Sequence, residues 1–153
     1  MSTRVGIGYD SHRFSDGGTL ILGGVEVPHT CGLEGHSDAD AVAHAITDAV
    51  LGAAGLGDIG THFPPTDDEW RDADSVDLLR TAVAMVPGYV VNADATVICE
   101  EPRLGDHRLE MERILGEAVG APVSVKATTN EGMGWIGRGE GIACIAVASV
   151  EVG

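Results

Sequence analysis

HSDADAVAHAITDAVLGAAGLGDIG, residues 36–60, carries a strong helical signal. Ala39 to Ala54 is rich in good helix formers, and Gly55 stands where helices commonly close on a left-handed residue. Val42, Ala45, Ile46, Ala49, Val50 and Ala53 recur at helical spacing and form one apolar face. Ser37 or Asp38 is expected to cap this helix. Asp40, His44 and Asp48, spaced i, i+4 and i+8, fall on a separate polar stripe. That stripe fits a solvated helix face as well as a functional edge.

Strands and helices interleave on both sides of this helix. Arg4 to Asp10, RVGIGYD, reads as a strand in which Gly6 and Gly8 leave one face bare, open to a ligand or another backbone. Leu20–Leu22 and Val25–Val27 flank Gly23-Gly24, a strong hairpin signal. Residues 58–74 hold turn residues and two adjacent prolines without periodicity, and read as a long loop. A second helix is expected from Ser75 to Val86, and a strand from Tyr89 to Cys99 with the turn-type residues Asn92, Ala93 and Asp94 inside it. Asp106 is placed to cap a third helix running to about Val119, which Gly120 ends. Val123–Thr128 and Ile142–Val152 complete the strands. The last is apolar on both faces and therefore expected to be central. The class is α/β (α+β): one domain over residues 1–153, with a four- to five-stranded mixed sheet and about three helices on one face.

Composition narrows the function. Apolar residues make up 44% of the 153 but aromatics only 4%, so the core is built from Ala, Val, Ile and Leu. The net charge of −15 argues against nucleic-acid and anionic-membrane partners. It also means that a phosphorylated ligand needs metal ions or local cations to neutralise it. Cys31, Cys99 and Cys144 are odd in number and lack metal-type spacing. No signal peptide and no apolar run of membrane length stand out, so a soluble, cytoplasmic protein is expected.

The candidate chemistry lies in a few segments. Asp10 and His12, two apart on an extended segment, point the same way, and His44 lies on the helix. One carboxylate and two imidazoles suit Zn²⁺ with an open fourth position, and Asp48 stands one turn on, where it could orient His44. His36 and Ser37, at the expected helix N-terminus, fit a phosphate site or a simple cap. Asp58-Ile59-Gly60 and Phe63-Pro64-Pro65-Thr66-Asp67 offer hydrogen bonds to a polyol, or are an ordinary surface loop. Lys126, Thr128, Thr129, Asn130 and Glu131 place a cation, hydroxyls and a carboxylate after a strand, a set suited to phosphates and Mg²⁺ or to a polar turn. Gly137-Arg138-Gly139-Glu140-Gly141 precedes no helix, so it is not a dinucleotide fingerprint. Arg138 is left to bind an anion or a neighbouring carboxylate.

With those residues in place, the chain resembles the 2-C-methyl-D-erythritol 2,4-cyclodiphosphate synthases of non-mevalonate isoprenoid precursor synthesis. The matching segments are GYDSHRF, LGGVEVP, GLEGHSDADAVAHAITDAVLGAAGLGDIGTHFPPTD and VKATTNEGMGWIGRGEGIACIAVA. The resemblance implies a homotrimer with sites between subunits. It also implies a metal-dependent phosphorus–oxygen lyase that cyclises 4-diphosphocytidyl-2-C-methyl-D-erythritol 2-phosphate and releases CMP. It implies Zn²⁺ on Asp10, His12 and His44, and Mg²⁺ or Mn²⁺ on Glu131, with His36 and Thr129 stabilising the transition state. Asp58–Gly60 and Phe63–Asp67 would hold the methylerythritol beside His36 and Ser37. Cys99, Glu100, Glu101, Pro102, Arg103, Leu104 and Gly105 would surround the cytidine, with Thr128, Thr129, Asn130 and Glu131 near the diphosphate. Trp135 stands where Phe is common, and Arg138 matches an arginine at the trimer axis, where an isoprenoid diphosphate would bind. Pro65 replaces an Asp of some members, and Glu100-Glu101 replaces Gln and a neutral residue, which alters those two contact surfaces.

Overall fold

The computed structural model describes residues 1–153. Strand β1 runs from Ser2 to Arg13, longer than the sequence pattern marks, because the alternation continues through Asp10 and His12. A hairpin follows, β2 (Leu20–Leu22) and β3 (Val25–Val27), which forms its own two-stranded sheet. Then come helix α1 (Ala41–Ala53), the single turn α2 (Ile59–His62), α3 (Ser75–Met85) and strand β4 (Gly88–Ile98). Helix α4 (Arg108–Val119), β5 (Val123–Thr128), the short α5 (Gly134–Gly137) and β6 (Gly141–Val152) end the chain.

The main sheet has four strands in the order β1-β6-β4-β5. β6 pairs antiparallel with both β1 and β4, and β5 lies parallel to β4 because α4 carries the chain back between them. The apolar β6 is thus internal, as its composition requires. The turn-type residues inside β4 mark a register shift between Val90 and Asn92, a bulge.

The bare face of β1 is filled by helix backbone. A Cβ on Gly8 would sit 1.9 Å from the Ala45 carbonyl oxygen, and one on Gly6 would sit 2.1 Å from that of Ala49. Only glycine lets α1 approach this closely. One core of 32 buried residues joins the sheet, the hairpin, α1, α3 and α4. The three longer helices lie on the same side of the sheet. The opposite face has no cover: Val5, Ile7 and Tyr9 of β1 and Ile145 and Val147 of β6 are exposed, Ile7 at 70%. No helix is long and apolar enough to cross a membrane.

The caps differ from expectation. The N-cap of α1 is Asp40, which accepts from the backbone N–H groups of Val42 and Ala43. It is fully buried, so Asp40 belongs to no solvated stripe. Its carboxylate also accepts from Gly23 and Gly24 at 2.8 Å each and so ties the hairpin turn to the helix start. Burial pushes its pKa above the ordinary carboxylate value, and these N–H donors pull against that shift. Asp106 caps nothing: it lies in a 3-10 turn (Gly105–His107), and α4 starts without a side-chain cap.

Candidate functional site

Asp10 and His12 lie on the helix-facing side of edge strand β1, and His44 lies in the first turn of α1 above them. Their ligand atoms all fall within 4.8 Å of one another. Asp10 Oδ2 is 2.7 Å from His12 Nε2 and 3.3 Å from His44 Nδ1. The first pair is close but out of line for a hydrogen bond, and both Asp10 Oδ2 and His12 Nε2 are buried without a partner. Buried polar atoms in native proteins are normally satisfied, so two orphaned lone-pair atoms aimed at one spot fit a cation. His12 Nδ1 lies 2.9 Å from the Glu34 carbonyl oxygen, which can only accept. Nδ1 therefore carries the proton, and Nε2 offers the lone pair.

The three groups are also coupled electrostatically. Burial alone would raise the pKa of Asp10, but the two imidazoles outweigh it and hold the carboxyl below the usual range. Burial alone would lower the pKa of His44, but Asp10, with Asp40 and Asp38 behind it, reverses the shift and raises it.

Asp48 does not orient His44: its Oδ1 accepts from Ile59 N–H at 2.7 Å. That bond sets Asp58–Gly60 one turn, about 5.4 Å, further along α1 from His44. The far side of the His44 ring instead meets Ser75 Oγ at 2.8 Å and Ser37 Oγ at 3.2 Å. Periodicity could not reveal Ser75, which is 31 residues away. His36 precedes the cap by four residues, so it does not use the helix N-terminus. Its Nε2 is a third buried atom without a partner. Asp58 caps α2 through Thr61, whose hydroxyl and N–H lower its pKa. The Phe63 side chain is a loop anchor, packed edge-on to Trp70 at 5.0 Å and against Leu51 and Leu78. Pro65, Thr66 and Asp67 are exposed.

A second group forms at the far edge of the sheet. Cys99, Glu100, Pro102–Asp106, Arg108 and Lys126–Thr129 line a cleft of about 910 Å³, within the size range of small-ligand sites. Arg103, Arg108 and Lys126 bring positive charge to this edge of an acidic chain, beside the carboxylates of Glu100 and Asp106. Lys126 pairs with Asp94. Burial pushes the Cys99 thiol up to about 12, which leaves it no nucleophilic thiolate at neutral pH. Glu100 Oε1 accepts from Asn130 N–H at 2.6 Å and from Gly132 N–H at 3.4 Å, so it clamps the turn that carries Glu131. Glu131 adopts a left-handed φ of 54°. Trp135 borders a small cavity beside His12, and Arg138 pairs with Glu140 at 2.8 Å. Glu101 is exposed and lies with Arg138 along a third cavity.

Within the chain the two groups stay apart. Asp10 aligns with Cys144, Cys144 with Val97 and Val97 with Ala127, so the histidine cluster and the cleft lie three strand spacings, about 14 Å, apart.

The geometry defines an α/β fold with a cation-fitting His–His–Asp cluster at one sheet edge and a cleft of mixed charge at the other. The chain belongs to the YgbB family, whose family model matches residues 3–151. It is 55% identical over 152 residues to the 2-C-methyl-D-erythritol 2,4-cyclodiphosphate synthase of Symbiobacterium thermophilum, covering 95% of this chain and 97% of that one. A cyclodiphosphate synthase structure with CDP bound superposes with a TM-score of 0.86 at 36% identity, covering 95% of this chain and 98% of that one. The bifunctional IspDF of Campylobacter jejuni superposes with a TM-score of 0.93 at 38% identity. That match covers 99% of this chain but 43% of the bifunctional one, of which this chain spans less than half.

Proposed function

We propose that the chain cyclises 4-diphosphocytidyl-2-C-methyl-D-erythritol 2-phosphate to 2-C-methyl-D-erythritol 2,4-cyclodiphosphate and releases CMP, as a metal-dependent phosphorus–oxygen lyase. The observation that carries this reading is the Asp10–His12–His44 cluster with its orphaned buried atoms, in a chain of this family. In the step, an oxygen of the 2-phosphate forms a bond to the β-phosphorus. The bond from that phosphorus to the bridging oxygen breaks, and CMP leaves with the electron pair. A phosphate nucleophile needs no general base, and the phosphate leaving group needs no strong acid.

Two cations fit the residues. Asp10, His12 and His44 suit Zn²⁺, and Glu131 suits Mg²⁺ or Mn²⁺ beside phosphate oxygens. Bound there, they supply charge neutralisation and phosphoryl polarisation. The protein itself positions the substrate. Asp58–Gly60 and the loop from Phe63 to Asp67 hold the methylerythritol near His36 and Ser37. The cleft from Cys99 to Gly105 holds the cytidine, and Thr128–Glu131 receive the diphosphate. Thr129 and His36 stabilise the charge that develops in the transition state. Folding the substrate back on itself converts binding into rate, an effect worth up to about 7–11 kcal/mol in well-oriented intramolecular reactions.

The reading includes a homotrimer. The uncovered apolar sheet face supports association, and the 14 Å between cluster and cleft supports a site shared between neighbours, one giving the metal cluster and the next the nucleotide cleft. Free cysteines support a reducing, cytoplasmic setting.

The test is phosphorus NMR of the substrate with the protein, Zn²⁺ and Mg²⁺. CMP and a cyclic diphosphate are expected, and both should vanish in a folded His44→Ala variant. A linear phosphate product would replace the synthase reading with a hydrolase. No turnover by folded, metal-loaded protein would sink it.

A further inference from the structure

We propose that Ser75 and Asp38 form a positioning pair that fixes the His44 ring, keeping Nε2 protonated and Nδ1 free toward the Asp10–His12 cluster. The inference deepens the metal-centre reading above and rests on it. Its basis is a chain of contacts running away from the cluster into the core. His44 Nε2 lies 2.8 Å from Ser75 Oγ, and Ser75 is fully buried. The same Oγ contacts Asp38 Oδ1. A serine hydroxyl has one proton, and a carboxylate accepts only. The Ser75 proton therefore goes to Asp38, and Oγ turns a lone pair to His44. Nε2 must then donate, which leaves Nδ1 as the ligand atom.

Asp38 is itself immobilised. Its Oδ2 accepts from Ser75 N–H at 3.1 Å, and its Oδ1 accepts from Asp40 N–H at 3.1 Å. The residues on either side, Ser37 and Ala39, hold φ values of 58° and 56°, which non-glycine residues adopt rarely. Such conformations persist where the surroundings over-determine them, and they cluster at functional sites. Ser37 N–H donates to the Arg71 carbonyl at 2.6 Å and pins the turn from the other side. Ser37 Oγ lies 3.2 Å from both Nε2 and Ser75 Oγ; with the Ser75 proton on Asp38, the Ser37 hydroxyl donates to the second lone pair of Ser75 Oγ and leaves Nε2–H in place.

The contacts also separate this role from simple docking of α3. The Ser75 N–H bond to Asp38 survives removal of the hydroxyl, so Ser75→Ala cuts the link to His44 and leaves the helix anchored. The experiment measures Zn²⁺ dissociation constants by chelator competition, and the visible absorption of the Co²⁺-loaded protein, in wild type, Ser75→Ala, Asp38→Asn and His44→Ala. Far-UV circular dichroism checks folding. Ser75→Ala is expected to weaken Zn²⁺ binding roughly 10- to 100-fold and to shift the Co²⁺ bands, because the ring loses its orienting partner. Asp38→Asn keeps the shape, removes the charge and should weaken Zn²⁺ binding roughly tenfold. His44→Ala should cost more than either. Wild-type affinity and bands in Ser75→Ala, alongside metal loss in His44→Ala, overturn the positioning pair and leave the metal centre standing. Undiminished binding in His44→Ala overturns the metal reading itself. Should Ser75→Ala fail to fold, Asp38→Asn decides: unchanged affinity there overturns the pair.

Discussion

Asp40 is the side chain on which the fold around the His–His–Asp cluster turns, and two substitutions separate its roles. Oδ1 accepts three backbone N–H groups, from Gly23 at 2.8 Å, Val42 at 3.1 Å and Ala43 at 3.0 Å. Oδ2 accepts one, from Gly24 at 2.8 Å. Asp40→Ala removes all four acceptors from a fully buried position. Loss of the helix cap alone costs about 1 kcal/mol. Each hairpin N–H left unsatisfied adds about 1–3 kcal/mol, so the expected loss is at least about 3 kcal/mol. For a chain of this size that lowers the melting temperature by at least about 6 °C.

Asp40→Asn keeps the oxygen that serves three donors and puts an amide N–H₂ against the fourth. Its expected loss is one unsatisfied pair, about 1–3 kcal/mol, offset in part because no charge is buried. Urea unfolding and calorimetry on metal-free protein measure both variants. Equal losses for Asn and Ala, or a loss under about 1 kcal/mol for Ala, would refute the assignment of three donors to one oxygen.

Four further outcomes follow from single features. In the trimer proposed above, Ile7→Lys would put a charge on the 70%-exposed centre of the uncovered sheet face and forfeit about 2 kcal/mol of apolar burial per copy, so sedimentation should show dissociated subunits; an intact trimer would place the interface elsewhere. Glu100→Ala releases the N–H groups of Asn130 and Gly132 and should raise the Mn²⁺ activation constant about tenfold, while Glu100→Gln keeps an acceptor and should stay near wild type; equal effects would show that charge rather than geometry matters. Burial, opposed by the Ile59 N–H and reinforced by Asp58 and Asp10, raises the pKa of Asp48. An acid with a raised folded pKa loses stability as pH rises from its unfolded value through the folded one, so the melting temperature of Asp48→Asn relative to wild type should climb as pH rises above about 4; a flat difference contradicts this. Farnesyl or geranyl diphosphate should raise the melting temperature of wild type but not of Arg138→Ala, and an equal shift in both would remove Arg138 from any anion site.

Period-two patterning was enough to place Asp10 and His12 on one side of a strand, because the β1 alternation does not depend on its neighbours. The hairpin at Gly23-Gly24 and the end of α1 at Gly55 were legible for the same reason: turn chemistry is local. Asp40 misled because an i, i+4 count with His44 assumes both residues are helical. Asp40 is instead the cap, with extended backbone, and it turns inward to the hairpin. Asp48 misled because reach along a helix says nothing of competitors, and the Ile59 N–H takes its oxygen. Gly6 and Gly8 left two readings open, and only the packed structure shows that helix backbone fills the space.

What stayed hidden is what long-range pairing decides. No local signal joins Ser75 to His44, or sets β6 between β1 and β4 so that the cluster and the cleft end on opposite edges. With the shared site proposed above, that separation would also account for the composition of the sheet. A subunit complete in itself would have no use for exposed Val5, Ile7 and Tyr9 beside a strand as apolar as β6. A subunit that shares its site with a neighbour needs such a face, because the geometry between cluster and cleft can be no more exact than the contact that joins them. The small side chains of α1 serve the same end. They let the helix sit against the glycines of β1 and hold His44 above Asp10 at a distance set by backbone rather than by flexible side chains.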